Sequence, residues 1–329
     1  MTQMNNHQKV LIITTGGTIA MAQGPDGGDV PALNGDLLIN QIPKHFLPAT
    51  VEVYEYSNKP SPHITMDDMV NLSLIIKEKK DKYDGFVITH GTDVLEETAF
   101  FLDLVLPSSI KVALTASMRA NDDIGVDGPR NLLSAIKTIL SPESNGYGVM
   151  VVINDEIHDP YTVTKTYTSN VATFQSPGFG MLGIVDDDKE FFARAKKKRV
   201  VIESEKYEKD VILYKTYVGD DGDLLETIVK NIKFKGIVVE GFGRGNVPPK
   251  VGDILINIAK KGLPVVLSTR CHLGRTLGVY GYEGGGKFLE DKGIILSKDL
   301  KPHKALILLK LLLGNRCQIE KIREVFNNF

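Results

Sequence analysis

The sequence predicts a two-domain α/β protein: a larger N-terminal domain with a mostly parallel sheet and helices on both faces, then a smaller C-terminal α/β domain. Three observations predict this. Short strand-like runs alternate with stretches of helical period, several of the runs are apolar on both faces, and a charged break between residues 186 and 210 separates two such series. With 329 residues the chain is long enough to build two cores.

In the first series, "VLIITT" (10–15), "VEVYEY" (51–56), "GFVITH" (85–90), "KVALTA" (111–116) and "GVMVVIN" (148–154) read as strands. "MDDMVNLSLIIKEKKDKY", "EETAFFLDLVL" and "GPRNLLSAIKTILS" read as the helices between them. After residue 210, "VILYKTY", "GIVVEGF" and "PVVLSTR" are strand-like, while "GDLLETIVKNIK", "PPKVGDILINIAKKG" and "KPHKALILLKLLLG" are helix-like. The expected division is therefore 1–190 for the first domain, 191–210 for the linker and 211–329 for the second domain.

Composition excludes several classes. Hydrophobic residues at 42% and charged residues at 24% are ordinary for a folded chain, so disorder is not expected. A formal net charge of −2 gives no electrostatic case for nucleic acid or an anionic membrane. The longest basic cluster, Lys196-Lys197-Lys198-Arg199, stands near Asp186-Asp187-Asp188 and reads as a solvated surface run. Two cysteines, Cys271 and Cys317, form no disulfide framework and fit a reducing compartment. The N-terminus offers Lys9 and a short apolar run, which reads as a first strand and not as a signal peptide. No segment approaches a membrane span. The expectation is a soluble cytoplasmic protein.

In open α/β sheets, ligands bind beyond the carboxyl ends of strands. Three stretches fall at such ends: residues 15–18, 89–93 and 117–119. "TTGGTIA" (14–20) permits a tight turn that aims backbone N–H groups at a ligand, with Thr18 just past the glycines. It meets neither nucleotide-binding fingerprint. "THGTD" (89–93) joins a hydroxyl to a carboxylate. A threonine hydroxyl needs a base before it can attack. Asp93 is too weak a base, but it can orient a lysine that serves as one. Lys165, between Thr164 and Thr166, is the candidate; its plain alternative is a surface charge. No second histidine stands at metal-like spacing from His90, and there is no Cys-x-x-Cys, so His90 reads as structural and no metal is expected. Glu96 and Glu97 read as residues of a helix's first turn, where carboxylates suit the dipole.

Together, "TGGTIA", "GFVITHGTDVLEETAFFL", "DGPRNLL", "VTKT" followed by "VATF", and "GFGRGNVP" resemble the bacterial-type L-asparaginase family, from about Val10 to the C-terminus and in family order. "GFGRGNVP" looks more like the cytoplasmic type I branch. The resemblance implies hydrolysis of the side-chain amide of L-asparagine to aspartate and ammonia without metal or cofactor. It also implies homotetramers built from close dimers, each site completed by a partner's C-terminal domain. Residue by residue, Thr18 and Thr92 match the two catalytic threonines, with Asp93 and Lys165 as partners of Thr92. Gly17, Ser61, Pro62, Gly91 and Ser117 match positions facing the substrate, Ser117 through its backbone carbonyl. Asn246 and Glu283 match groups offered by the neighbouring subunit. The backbone N–H groups at Gly17–Thr18 or Thr92 would hold the oxyanion. Thr18 is favoured as nucleophile, and the motifs leave the reverse roles open.

Two departures stand out. The family's loop tyrosine has no counterpart in "MAQGPDGGDVPALNGD" (21–36), where Asp29 takes its place and the glycines suit a flexible lid. Tyr54, Tyr56, Tyr280 and Tyr282 are the candidates to compensate. Pro62 stands where many relatives carry a polar residue for the substrate's amino group. A mixed glutaminase–asparaginase is the near alternative, since one methylene gives only about 1–3 kcal/mol of discrimination. The ammonia-releasing subunit of a transfer-RNA amidotransferase shares this domain but adds an N-terminal one. An amino-acid-binding sensor that lost the chemistry is the alternative from another class. Some type I relatives carry an asparagine effector site in the C-terminal domain. Arg244, Arg270 and Cys271 lie in stretches that could line one, against the plain reading of a buried free thiol beside a surface arginine.

Overall fold

The computed structural model describes residues 8–31, 34–187, 189–196 and 201–329. The chain divides into two compact units, Met1–Val201 and Ile202–Phe329. In the first unit the strands are β1 (Lys9–Gly16), β2 (Met21–Gln23), β3 (Asp29–Pro31), β4 (Thr50–Lys59), β5 (Gly85–Thr89), β6 (Val112–Thr115), β7 (Val149–Ile153), β8 (Glu156–His158), β9 (Thr164–Lys165), β10 (Phe174–Gln175), β11 (Gly183–Val185) and β12 (Glu190–Phe192). Its helices are α1 (Gly35–Asn40), α2 (Met66–Lys79), α3 (Leu95–Val105) and α4 (Gly128–Leu140).

The main sheet runs β12-β11-β8-β7-β6-β5-β1-β4. The five strands from β4 to β7 are parallel, and β8, β11 and β12 extend the sheet in antiparallel fashion. β1 lies inside the sheet, and Val10, Leu11, Ile12 and Ile13 are each no more than 2% exposed, so both its faces are covered. Val10, Ile12, Val87, Ala113 and Met150 point to one face and pack with Leu132, Ile136 and Ile139 of α4. Alternation sends Phe86, Ile88, Val112 and Leu114 to the other face, where α3 packs on β6 and β7. Each such fully buried Val, Leu or Ile contributes roughly 1.5–3 kcal/mol relative to an exposed one.

Several expectations change here. The expected linker, 191–210, overlaps the edge strand β12 (Glu190–Phe192), which pairs with β11. Lys196 is not solvated: its side chain is 10% exposed, and Nζ donates to the Asp103 carboxylate and to the carbonyls of Tyr147 (2.9 Å) and Val149 (2.7 Å). A charge can be buried there because an opposite charge and two carbonyls replace its water. Lys197, Lys198, Arg199 and Asp188 lie outside the described residues. The loop expected as a flexible lid carries the β2–β3 hairpin, turning at Gly27 with φ of 81°. Its first strand is tied down by Gln23 N–H to Asp122 Oδ2 and Asn121 N–H to the Met21 carbonyl.

The second unit has its own parallel sheet, ordered β13 (Val211–Lys215), β14 (Gly236–Gly241), β15 (Val265–Thr269) and β16 (Ile295–Leu296). Its helices are α5 (Asp223–Asn231), α6 (Pro249–Lys260), α7 (Gly286–Glu290), α8 (Pro302–Gly314) and α9 (Ile319–Asn327). Ile237, Val239, Val265 and Leu267 form its core with Val251, Leu255 and Ile258 of α6. Among the described residues, no helix is long and apolar enough to cross a membrane.

Candidate active site

The parallel strands give the candidate site its place. β4, β1, β5, β6 and β7 are the second, first, third, fourth and fifth parallel strands of the main sheet in chain order. That order reverses between β1 and β5, and the crevice at such a switch point is where doubly wound sheets bind ligands. The last register pair between the two strands is Thr14 with Thr89. Beyond it lie the two turns with the hydroxyls, Gly16–Thr18 and His90–Asp93.

These turns meet more closely than side chains allow. A Cβ on Gly17, whose φ is 84°, would lie 2.3 Å from the Gly91 Cα. A Cβ on Gly91 would lie 2.5 Å from the Ser61 Cβ, and one on Gly16, with φ of 103°, would lie 2.5 Å from the Lys59 backbone. Three glycines therefore let the ends of β1, β4 and β5 stack directly. Ser61 locks the stack: its hydroxyl donates to the Gly91 carbonyl (2.7 Å) and accepts from the Val94 N–H (3.0 Å), just before α3. Pro62, next to it, is exposed. The Gly17 N–H is committed to the Lys59 carbonyl (3.1 Å), so it cannot serve the oxyanion as expected. The N–H groups of Thr18 and Thr92 have no such partner among the described residues.

Lys165 joins this corner from β9. Its Nζ donates to Thr92 Oγ1 at 2.9 Å and to Asp93 Oδ1 at 2.7 Å. Thr92 is 6% exposed, the Lys165 side chain 18% and that of Asp93 53%, so the chain of groups runs from interior to solvent. The Thr18 hydroxyl receives and gives no hydrogen bond among the described residues, and Thr18 is half-buried. Ser117, fully buried, follows β6 at the same edge of the sheet. Asp127 accepts from the N–H groups of Met118 and Arg119 (3.0 Å each) and lies 2.7 Å from the Ser117 hydroxyl, which shapes the 117–119 turn. Gly128, where a Cβ would sit 3.0 Å from Ile19 Cγ1 and 3.5 Å from Ser117 Cβ, packs this turn beside Thr18.

Two supporting groups differ in how far the sequence shows them. His90 is fully buried; its Nδ1–H donates to the Gly91 carbonyl (2.7 Å) and its Nε2 accepts from Thr98 Oγ1 (3.0 Å). The carbonyl can only accept, so Nδ1 carries a proton. Burial pushes the imidazole down to about 4, although the Gly91 carbonyl and the Asp68 charge favour the cation. Asp68 was not singled out by the sequence. It accepts from Lys59 Nζ (2.6 Å), Tyr56 OH (2.8 Å), Thr65 N–H (2.8 Å) and Thr65 Oγ1 (2.8 Å). Burial alone would raise this carboxyl, but the Lys59 ammonium and these donors outweigh it and hold it at about 2. Only the "T-x-x-D" capping spacing marked it in advance. Tyr56 is thus engaged with Asp68, and the Tyr54 ring lies 5.4 Å from Lys79 Nζ on α2.

Comparison with known proteins bears on this arrangement. Residues 9–198 match the family model for the N-terminal domain of asparaginase, and residues 210–326 match the glutaminase/asparaginase C-terminal domain. The chain belongs to the asparaginase family. A probable L-asparaginase of Deinococcus radiodurans is 39% identical, covering 97% of each chain. An L-asparaginase of Bacillus licheniformis is 37% identical over 94% of this chain and 96% of its own. The crystal structure of a probable cytoplasmic L-asparaginase from Campylobacter jejuni superposes with a TM-score of 0.85 at 33% identity, covering 98% of this chain and all of that one.

The other candidate residues of this asparaginase lie in the second unit. Asn246 Oδ1 accepts from the Gly286 N–H (3.0 Å), binding the "GFGRGNVP" loop to the start of α7; Glu283 is exposed in the preceding turn. Arg244, Arg270 and Cys271 gather past the carboxyl ends of β14 and β15, which Thr269 Oγ1 ties together by donating to the Gly243 carbonyl (2.6 Å). The Arg270 guanidinium lies 4.9 Å from the Phe242 ring centroid. Cys271 is exposed, so the reading of a buried thiol does not hold: it follows the strand end into a surface loop. The Tyr280 and Tyr282 rings lie tilted against each other with centroids 5.5 Å apart, also exposed.

Proposed function

We propose that this chain is an amidohydrolase that converts L-asparagine to L-aspartate and ammonia through a threonine acyl-enzyme. The observation that carries the reading is the contact of Lys165 Nζ with both Thr92 Oγ1 and Asp93, next to the Thr18 turn. Thr92 Oγ1 is already held by Lys165 Nζ, which places it to pass a proton to the lysine; the Thr18 hydroxyl, with no hydrogen bond among the described residues, is the attacker. Thr18 Oγ adds to the side-chain amide carbon, and its proton passes through the Thr92 hydroxyl to Lys165, which acts as a neutral amine held in place by Asp93. The C–N bond then breaks, the relay returns a proton, and ammonia leaves. Water adds to the resulting ester, the C–O bond to Thr18 breaks and aspartate is released. The N–H groups of Thr18 and Thr92 are the oxyanion donors; one such donor is worth about 2.7–4 kcal/mol. Gly17, Ser61, Pro62, Gly91 and the Ser117 carbonyl surround the substrate.

A second reading has one observation in its favour. Thr92 is the hydroxyl in direct hydrogen bond with a lysine, the pairing that activates nucleophiles elsewhere. In that reading Thr92 attacks and Thr18 relays. Asn246 and Glu283 would complete the site of a neighbouring copy in a homotetramer, and the cytoplasm is its compartment, as the name of the Campylobacter jejuni neighbour suggests. Arg244, Arg270 and Cys271 would line an effector site, and a sigmoidal velocity curve for L-asparagine would support it.

Ammonia release by the purified protein tests the activity, with L-asparagine and L-glutamine in parallel. The expected result is turnover of L-asparagine that both Thr18→Ala and Thr92→Ala abolish. Binding of L-asparagine without ammonia would mark a sensor and overturn the reading. Equal turnover of L-glutamine would make it a mixed-specificity enzyme.

A further inference from the structure

The strand that delivers Lys165 is two residues long and, among the described residues, pairs only with β10, so its own ladder holds it weakly. Successive N–H groups of a strand point to opposite sides. The Thr166 N–H donates to the Thr173 carbonyl inside the hairpin, which turns the Lys165 N–H outward. That outward N–H meets Glu96, whose Oε1 accepts from it at 3.3 Å and from the Thr164 hydroxyl at 3.0 Å. Glu96 is only 7% exposed, which is unusual for a carboxylate serving merely to complement a helix dipole. It stands in the first turn of α3, three residues after Asp93.

The two segments of the relay are therefore fastened twice. Lys165 Nζ reaches back to Thr92 and Asp93, and Glu96, from the same turn-and-helix segment, reaches forward to the Lys165 backbone. The first fastening moves with a flexible four-carbon stem; the second fixes the Cα from which that stem starts. We propose that Glu96 is a positioning residue for Lys165, holding β9 against the start of α3 so that Nζ stays within bonding distance of Thr92. The inference rests on Lys165 acting as the relay. It predicts an effect on the chemical step, because Glu96 acts through Lys165 and is placed away from the substrate-facing residues.

The test measures kcat and KM for L-asparagine in wild type, Glu96→Gln, Thr164→Val, the double variant and Lys165→Met, alongside thermal unfolding. Displacing a catalytic group by an ångström costs up to about a hundredfold, so each single variant should lose between about tenfold and a hundredfold in kcat. KM should stay within about twofold. The double variant should lose little more than the worse single one, because both changes weaken the same bridge from Glu96 Oε1 to Thr164 and Lys165. A purely structural Glu96 would instead lower the melting temperature and leave the kcat of the folded protein unchanged; that result overturns the proposal. If Glu96→Gln fails to fold, Thr164→Val decides alone, since it removes the partner hydroxyl and keeps the carboxylate. Wild-type turnover in Lys165→Met removes the relay itself, and this inference with it. An inactive Lys165→Met beside fully active Glu96→Gln and Thr164→Val overturns the inference only.

Discussion

At Gly17 and Gly91 two backbones occupy space that a single methyl group would fill, and this closeness sets the turn that carries Thr18 against the turn that carries Thr92. A Gly17→Ala variant adds a Cβ 2.3 Å from the Gly91 Cα and forces an L-residue to φ of 84°. It should cost about 1–3 kcal/mol of stability. It should also lower kcat by at least about tenfold, checked by denaturant unfolding and ammonia release side by side. The residues of this stack were legible because glycines and hydroxyls at strand ends announce themselves locally. Asp68, Glu96 and Lys196 were not. Glu96 and Lys196 act through partners distant in sequence, of which a lone carboxylate or lysine carries no trace, and the capping spacing at Asp68 says nothing of its bonds to Lys59 and Tyr56.

Secondary-structure elements were legible where they are long and apolar. β1, β5, β6 and β7 are apolar runs buried on both faces, and α4 and α6 show full helical periodicity. β8 to β12 were not, because strands of two or three residues hold too few positions to show a period. Such short pieces are set by partners, as β9 is by Glu96. α2 owes its start to the Thr65–Asp68 capping box, and the same carboxylate ties it to Lys59 at the end of β4. Asp68→Asn keeps the shape but loses the charge, and should cost roughly 2 kcal/mol at neutral pH, measured by urea unfolding. Tyr56→Phe removes one bond to the same oxygen and should cost about 1 kcal/mol.

For the whole molecule, both buried groups predict weakness towards acid. His90 titrates near 6.5 when unfolded and about 4 when folded, so the unfolded state binds more protons between those values. The stability it lends is complete above about 6.5 and is lost as pH falls toward 4, roughly 3 kcal/mol in all. The share from Asp68 is complete above its ordinary 3.8 and disappears as pH falls through about 2. Unfolding free energy should therefore decline in two stages on acidification, and His90→Gln should flatten the first; an unchanged slope between pH 6.5 and 4 would contradict the assignment. The two-unit organisation and family membership were both legible, since the motifs recur in order along the chain. The replacement for the absent loop tyrosine was not, because tyrosines near the site in sequence are spent elsewhere in space. The most direct check on the central claim is a crystal structure with L-aspartate bound. The account predicts the ligand's side-chain carboxyl carbon within about 3.5 Å of the Thr18 hydroxyl, with Thr92 and Lys165 behind it. Aspartate seated elsewhere, or the Thr18 and Thr92 hydroxyls on separate surfaces, would contradict it.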